Sequence, residues 1–189
     1  LSNVPFFDSL SFSFLCYLGF ALALFLYAPL RIVRGDFQVI DTPEIRGSWR
    51  VCLTGAFFTM LVDWVIDPLT LLGDRWFLGK IYYYPEGGIH FGVPLSNYAG
   101  WYLVALVTIG TYQALEKRVS WSHAGVRHLR YAGLFEPLIY LGVLCFNLTL
   151  TFAIGERFLG LIGCMLYAPV LVLFLSHPLN AMRRTREGS

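Results

Sequence analysis

Residues 50–101 read RVCLTGAFFTMLVDWVIDPLTLLGDRWFLGKIYYYPEGGIHFGVPLSNYAGW. The first part, 50–72, is an apolar run of the length a bilayer-spanning helix needs, about 20 residues. Two carboxylates, Asp63 and Asp67, interrupt it. A carboxylate inside a membrane span is costly and marks a functional site by default. The second part is a loop, 73–97, dense in Trp, Tyr, Gly and Pro, which leads into another apolar run.

The rest of the chain fits the same solvent. Hydrophobic residues make up 57% of the 189, charged residues 14%, and the mean hydropathy is +0.61. Soluble domains average about 25% charged. Five segments are apolar enough to span: 9–30, 50–72, 98–115, 132–154 and 158–176. The fold expected is therefore all-α and polytopic, a single membrane domain over 1–189 with about five transmembrane helices. Tyr27, Trp49, Trp101, Tyr131 and Tyr167 fall near segment ends, as an interfacial aromatic belt would.

Charge sets the orientation. Arg31, Arg34, Arg46 and Arg50 surround the first connection, Lys117, Arg118, Arg127 and Arg130 the third, and Arg183, Arg184 and Arg186 the tail. Those are eleven of the 14 basic residues; Arg75, Lys80 and Arg157 fall on the other side. Alternating helices place all eleven in the cytoplasm, with the C-terminus inside and loop 73–97 outside. The two cytoplasmic connections, 31–49 and 116–131, mix basic side chains with Phe37, Ile40, Trp121 and Leu129, which suits an interfacial position. A net charge of +2 gives no reason to expect a nucleic-acid partner. Cys16, Cys52, Cys145 and Cys164 lie in apolar contexts without metal-ligand spacing, and read as small hydrophobes. The four histidines, His90, His123, His128 and His177, are too few and too scattered for a metal cluster.

Asp63 and Asp67 are spaced i, i+4 and share one helix face. At about 1.5 Å per residue, Asp67 lies roughly 7 Å and Asp63 about 13 Å from the helix end near Leu72. Two carboxyls close together and away from water favour a neutral form of at least one, which a general acid requires. Pro68 frees the carbonyl of Trp64, so polar backbone should appear beside the acids. Such irregularity is tolerated at membrane depth only against protein or a hydrated cavity. The pair can also be read as polar glue between helices, bonded to Asn97, Asn147 or Thr151. In the loop, Trp76, Tyr82, Tyr83, Tyr84, His90 and Phe91 offer aromatic faces for an apolar ligand or a cation, or for the membrane interface. Asn97 should open the third helix, and Pro137 the fourth at its first position.

Asp67-Pro68, Gly73, Trp76, Tyr83-Tyr84, Phe91-Gly92-Val93-Pro94, Asn97 and Gly100-Trp101 make a combined pattern. In it the chain resembles the integral-membrane carotenoid biosynthesis proteins, whose characterised members are carotenoid 1,2-hydratases, including the bisanhydrobacterioruberin hydratases. The resemblance is carried by this segment; elsewhere it is mostly hydropathy. Typical members have further N-terminal helices, and Val4-Pro5-Phe6-Phe7 resembles the opening of a later one. The chain is thus expected to match roughly the C-terminal two-thirds of a member. The resemblance implies a prokaryotic cytoplasmic membrane and the hydration of an acyclic carotenoid end group at its terminal isolated double bond. It implies a cofactor-independent hydro-lyase, since no redox change occurs and no metal is needed. Asp67 and Asp63 are the expected catalytic residues. Trp76, Tyr83, Tyr84, His90, Phe91, Pro94, Asn97 and Trp101 are the expected substrate contacts. The alternative is a non-catalytic, carotenoid-binding or structural subunit of a larger membrane complex, such as a photosynthetic one, with other subunits as partners. A transporter is disfavoured because no inverted repeat or paired broken helices appear.

Overall fold

The computed structural model describes residues 6–33, 36–75, 79, 83–119 and 131–187. Five long helices form the bundle: α1 (Phe6–Tyr27), α3 (Trp49–Thr70), α4 (Leu95–Glu116), α5 (Ala132–Ala153) and α6 (Arg157–Glu187). Four of them, α1, α3, α5 and α6, are long and apolar enough to cross a membrane. Helix α4 matches α3 in length, at 22 residues. Its Asn97, Tyr98, Trp101 and Gln113 lower its hydropathy, yet Leu103, Val104, Val107 and Leu115 stand exposed along it. The chain is an integral membrane protein.

Helix α3 is the hub, packing against α1, α4, α5 and α6. Two glycines let α1 approach closely: a Cβ on Gly19 would lie 2.6 Å from the Gly55 carbonyl and from the Thr59 hydroxyl. The Tyr140 hydroxyl of α5 donates to the Phe58 carbonyl at 2.8 Å, and that of Tyr167 in α6 to Val62 at 3.4 Å. Small residues and hydroxyl donors, more than apolar area, hold helices together in lipid.

The ends of the bundle confirm the alternation. Arg46 of the first connection bonds Glu116 at the end of α4, and Lys117 bonds the Gly47 carbonyl at 3.3 Å. His177 of α6 reaches the Ala28 carbonyl at 3.0 Å, so the last helix returns to this same end. At the opposite end Arg75 pairs with Glu156 at 2.8 Å and bonds the Ile154 carbonyl at 2.7 Å. The second and fourth connections therefore lie together there.

Several boundaries differ from the sequence reading. The first connection holds a two-stranded antiparallel hairpin, β1 (Leu30–Val33) with β2 (Asp36–Val39), and a short helix α2 (Pro43–Arg46), within an otherwise all-α fold. Branched and aromatic residues there favour strand. Asp36 pins the hairpin by accepting from the Tyr131 backbone N–H at 2.7 Å. Helix α1 ends at Tyr27 rather than residue 30, because the chain turns into β1. Helix α4 starts at Leu95 behind Pro94, before Asn97, and α5 starts at Ala132, with Pro137 inside it. Helix α6 continues through Pro178 to Glu187, so the basic tail is helical. Most of the connection 116–131, with Trp121, His123, His128 and Leu129, lies outside the described residues.

Candidate active site

Asp63 and Asp67 are both buried, each 3% exposed, one turn apart on α3. Ser48 caps the N-terminus of α3, accepting from Val51 N–H at 3.3 Å. Its far end carries Pro68 within the helix, and the Thr70 hydroxyl donates back to the Asp67 carbonyl at 2.7 Å. The carboxyls thus sit on regular helix whose last turn is loosened.

The carbonyl that Pro68 frees is taken up. His90 Nε2 lies 2.9 Å from the Trp64 oxygen, so Nε2 carries the proton and donates. His90 reaches it from a tight turn in which His90 and Val93 pair through both backbone N–H groups. The turn needs two left-handed residues, Phe91 (φ 50°) and Gly92 (φ 87°). It also needs Gly88, where a Cβ would lie 2.0 Å from the Val93 carbonyl carbon. The glycines around the Phe91-Gly92-Val93-Pro94 segment therefore serve to aim one imidazole at one carbonyl.

Beside it, Trp64 and Tyr98 stack with ring centroids 4.5 Å apart and planes 19° apart, and His90 meets both edge-on at 5.2 and 5.6 Å. On the other flank Asn97 donates from Nδ2 to Asp67 Oδ2. That bond fits the glue reading for Asp67. Asp63 differs: its Oδ2 is buried and has no protein partner among the described residues. The same holds for Tyr98 Oη and Asn147 Nδ2. Thr151 bonds its own helix, at the Asn147 carbonyl, 2.6 Å away. Native interiors seldom leave such buried polar atoms without a partner.

A groove of about 560 Å³ opens between α1 and α4, lined by Phe12, Tyr84, Pro94, Asn97, Gly100 and Trp101. Phe12 and Trp101 meet across it with centroids 4.9 Å apart. Asn97 is in its wall and bonds Asp67, so the groove reaches the carboxyl pair through one residue.

Of the expected contacts, the structure brings Tyr84, Pro94, Asn97 and Trp101 to this groove. His90 supports the helix behind the site instead. Phe91 turns away to Phe158, 5.7 Å between centroids. Tyr83 is 65% exposed and does not line the groove. Trp76 lies outside the described residues. Sequence reasoning did not count Phe12, the Trp64 ring or Tyr98 among the site residues. Tyr98 follows Asn97 directly, and Trp64 stands three residues before Asp67, so both were adjacent to signals already read. All four cysteines are free, with Cys16 and Cys52 buried.

The family model described as "Carotenoid biosynthesis protein" matches residues 1–170, a stretch that includes the five helices up to Val170 and the whole groove. No curated protein and no solved structure matches significantly. By that match over most of its length, this chain belongs to the carotenoid biosynthesis protein family.

Proposed function

We propose that the protein hydrates the end group of an acyclic carotenoid, adding water across the terminal isolated double bond. The observation that carries this reading is the groove whose wall residue, Asn97, is bonded to the buried Asp67. A polyene is apolar along its length and enters from the bilayer, so its groove should open sideways between helices. Its terminal alkene has no polar handle, so catalysis starts with a proton.

In this reading the Asp67 carboxyl, oriented by Asn97 and nearest the groove, gives its proton to the less substituted alkene carbon. The electron pair of the double bond forms the new C–H bond and leaves a tertiary cation. Tyr84 and Trp101 present aromatic faces to that charge, an attraction of about 1–2 kcal/mol when desolvated. Water attacks the cation and forms the C–O bond. The proton it sheds passes to Asp63, and from there back to Asp67 one helical turn away, so the pair ends as it began. The chemistry needs no cofactor. The prokaryotic cytoplasmic membrane as location, with the groove toward the outer face and the C-terminus in the cytoplasm, belongs to the same proposal, supported by the charge distribution.

The test is Asp67→Asn and Asp63→Asn, each expressed in cells that make the unhydrated precursor, with pigments separated by chromatography. Wild-type amounts of tertiary alcohol from both variants would end the carboxyl mechanism. The aromatic lining also suits a pigment that is held rather than converted, as in a subunit of a larger complex. Stoichiometric carotenoid retained by purified protein, with no turnover of added precursor, would favour that second reading.

A further inference from the structure

Tyr98 sits on the first turn of α4, one residue after Asn97. Its ring is held by packing alone: Trp64 covers one face at 4.5 Å, and the edge of His90 closes in at 5.6 Å. Trp64 is in turn fixed by His90 at 5.2 Å. The phenol hydroxyl contributes nothing to that packing. It is buried, the residue being 2% exposed, and no protein group among the described residues bonds it. Tyr98 nonetheless lies within electrostatic range of Asp63, of Asp67 and of Tyr84 in the groove wall. Asp63 Oδ2 is likewise buried and unbonded.

A buried hydroxyl and a buried carboxyl oxygen that both lack protein partners are costly unless something polar joins them. Water can: it needs two to four polar partners, and it both donates and accepts. A phenol offers a donor and an acceptor, and a carboxylate oxygen accepts. We infer that Tyr98 Oη and Asp63 Oδ2 together bind a water molecule inside the bundle, and that this is the water added to the alkene. The second half rests on the hydration reading; the first does not. The site explains a division of labour between the two acids. Asp67 is tied through Asn97 to the groove, where the alkene would lie. Asp63, one turn deeper, has an oxygen left for water. In the addition step the water oxygen forms the C–O bond to the tertiary cation. One of its protons goes to Asp63, while the Tyr98 hydroxyl holds the oxygen in place and keeps its own proton. Tyr98 thus touches the reacting water and leaves the ring stack to position it.

Two measurements test this. The first is a structure of the full chain in a lipid nanodisc, at a resolution that shows ordered water, for wild type and Tyr98→Phe. The inference expects a density peak within hydrogen-bond distance of Tyr98 Oη and Asp63 in wild type, lost in the variant. No peak in wild type, or one that persists in Tyr98→Phe, overturns the water site. The second is product formation with the precursor. Tyr98→Phe keeps the ring, so precursor retention should match wild type while the rate of hydration falls roughly tenfold or more, the scale expected when a reactant is misplaced. An unchanged rate overturns the nucleophile assignment. A wild-type protein that hydrates no acyclic carotenoid sinks the hydration reading and that assignment with it, whereas the density decides the water site independently.

Discussion

The two polar clusters flanking α3 handle charge in opposite ways. At the N-terminal end, Arg46 is saturated: Nε donates to both Glu116 oxygens at 3.1 and 3.2 Å, Nη1 to Asp41 at 2.5 Å, and Nη2 to the Tyr112 hydroxyl at 2.8 Å. Its guanidinium also lies 5.3 Å from the centroid of Phe20. Gln113 completes the network by donating to the Arg46 and Ser48 carbonyls at 2.6 and 3.2 Å. At the other end, Asn97 donates to Asp67, while the buried Asp63 Oδ2 and Tyr98 Oη meet no protein group among the described residues. A planar fork satisfied on every side makes a staple between helices. A carboxyl pair left partly unsatisfied gives up stability and keeps polar atoms available for chemistry. Both clusters gather ionisable groups on α3 and its flanks; what separates structure from candidate function is how completely the partners are supplied.

The contrast can be broken by substitutions at each end. The largest effect is expected at the site: Asp67→Asn should lower the yield of hydrated carotenoid by about 100-fold or more, the usual scale for a lost general acid. Its thermal unfolding should stay close to that of wild type. A yield within twofold of wild type would place Asp67 among the structural groups. Next comes Arg46→Ala, which strands Glu116 and Asp41 and should cost roughly 2–3 kcal/mol, read by unfolding in detergent. Product per folded molecule should not change, since no Arg46 contact approaches the groove. His90→Ala tests the boundary between the two behaviours. Exposing the Trp64 carbonyl should cost about 1–2 kcal/mol and loosen the Trp64–Tyr98 stack, so stability and turnover should fall together. Loss of one without the other would show that the imidazole does not support the site. Ser48→Ala removes the N-cap of α3 and should cost about 1 kcal/mol with turnover intact. Smallest is Tyr83→Ala. With its side chain outside the groove it should shift stability by less than about 0.5 kcal/mol and leave the pigment profile alone.

Legibility followed the range of the interactions involved. The membrane class, the helix count and the alternation were readable because apolar run length and the positions of Arg and Lys are local properties. The hairpin in the first connection was missed for a physical reason. Its strands have four residues each, and Asp36 on Tyr131 and Gly133 beneath Val39 anchor them from far along the chain. The helix ends at Leu95 and Glu187 moved, and Pro137 lies inside α5 rather than at its start, because a single proline at a helix start or within it removes one donor without halting the helix when neighbours support it. At the site, Asp63, Asp67 and Asn97 stood out as polar residues in apolar or loop context. Tyr98 and Trp64 did not, because an aromatic residue in a membrane helix is ordinary until its hydroxyl or its neighbours are located. His90 and Phe91 stood out as aromatic residues of a Gly- and Pro-rich loop, and the structure sets His90 against the Trp64 carbonyl and Phe91 against Phe158. Whether a loop side chain faces the ligand or the scaffold depends on φ at Phe91 and Gly92.

The amino-acid sequence by itself determined that this is a membrane-embedded helical protein, which face of one helix carries two acids, and where the proline frees a carbonyl. Solvent sets these features residue by residue: lipid penalises each unpaired polar group where it stands. Only the tertiary structure decided which residue takes that carbonyl, that Asn97 joins the groove to Asp67, and that Asp63 Oδ2 and Tyr98 Oη meet no hydrogen-bond partner among the described residues. Those outcomes depend on how α4 and the turn before it pack against α3, and hydrogen-bond partnership between residues 26 and 30 positions apart is a property of the packed bundle, not of either segment.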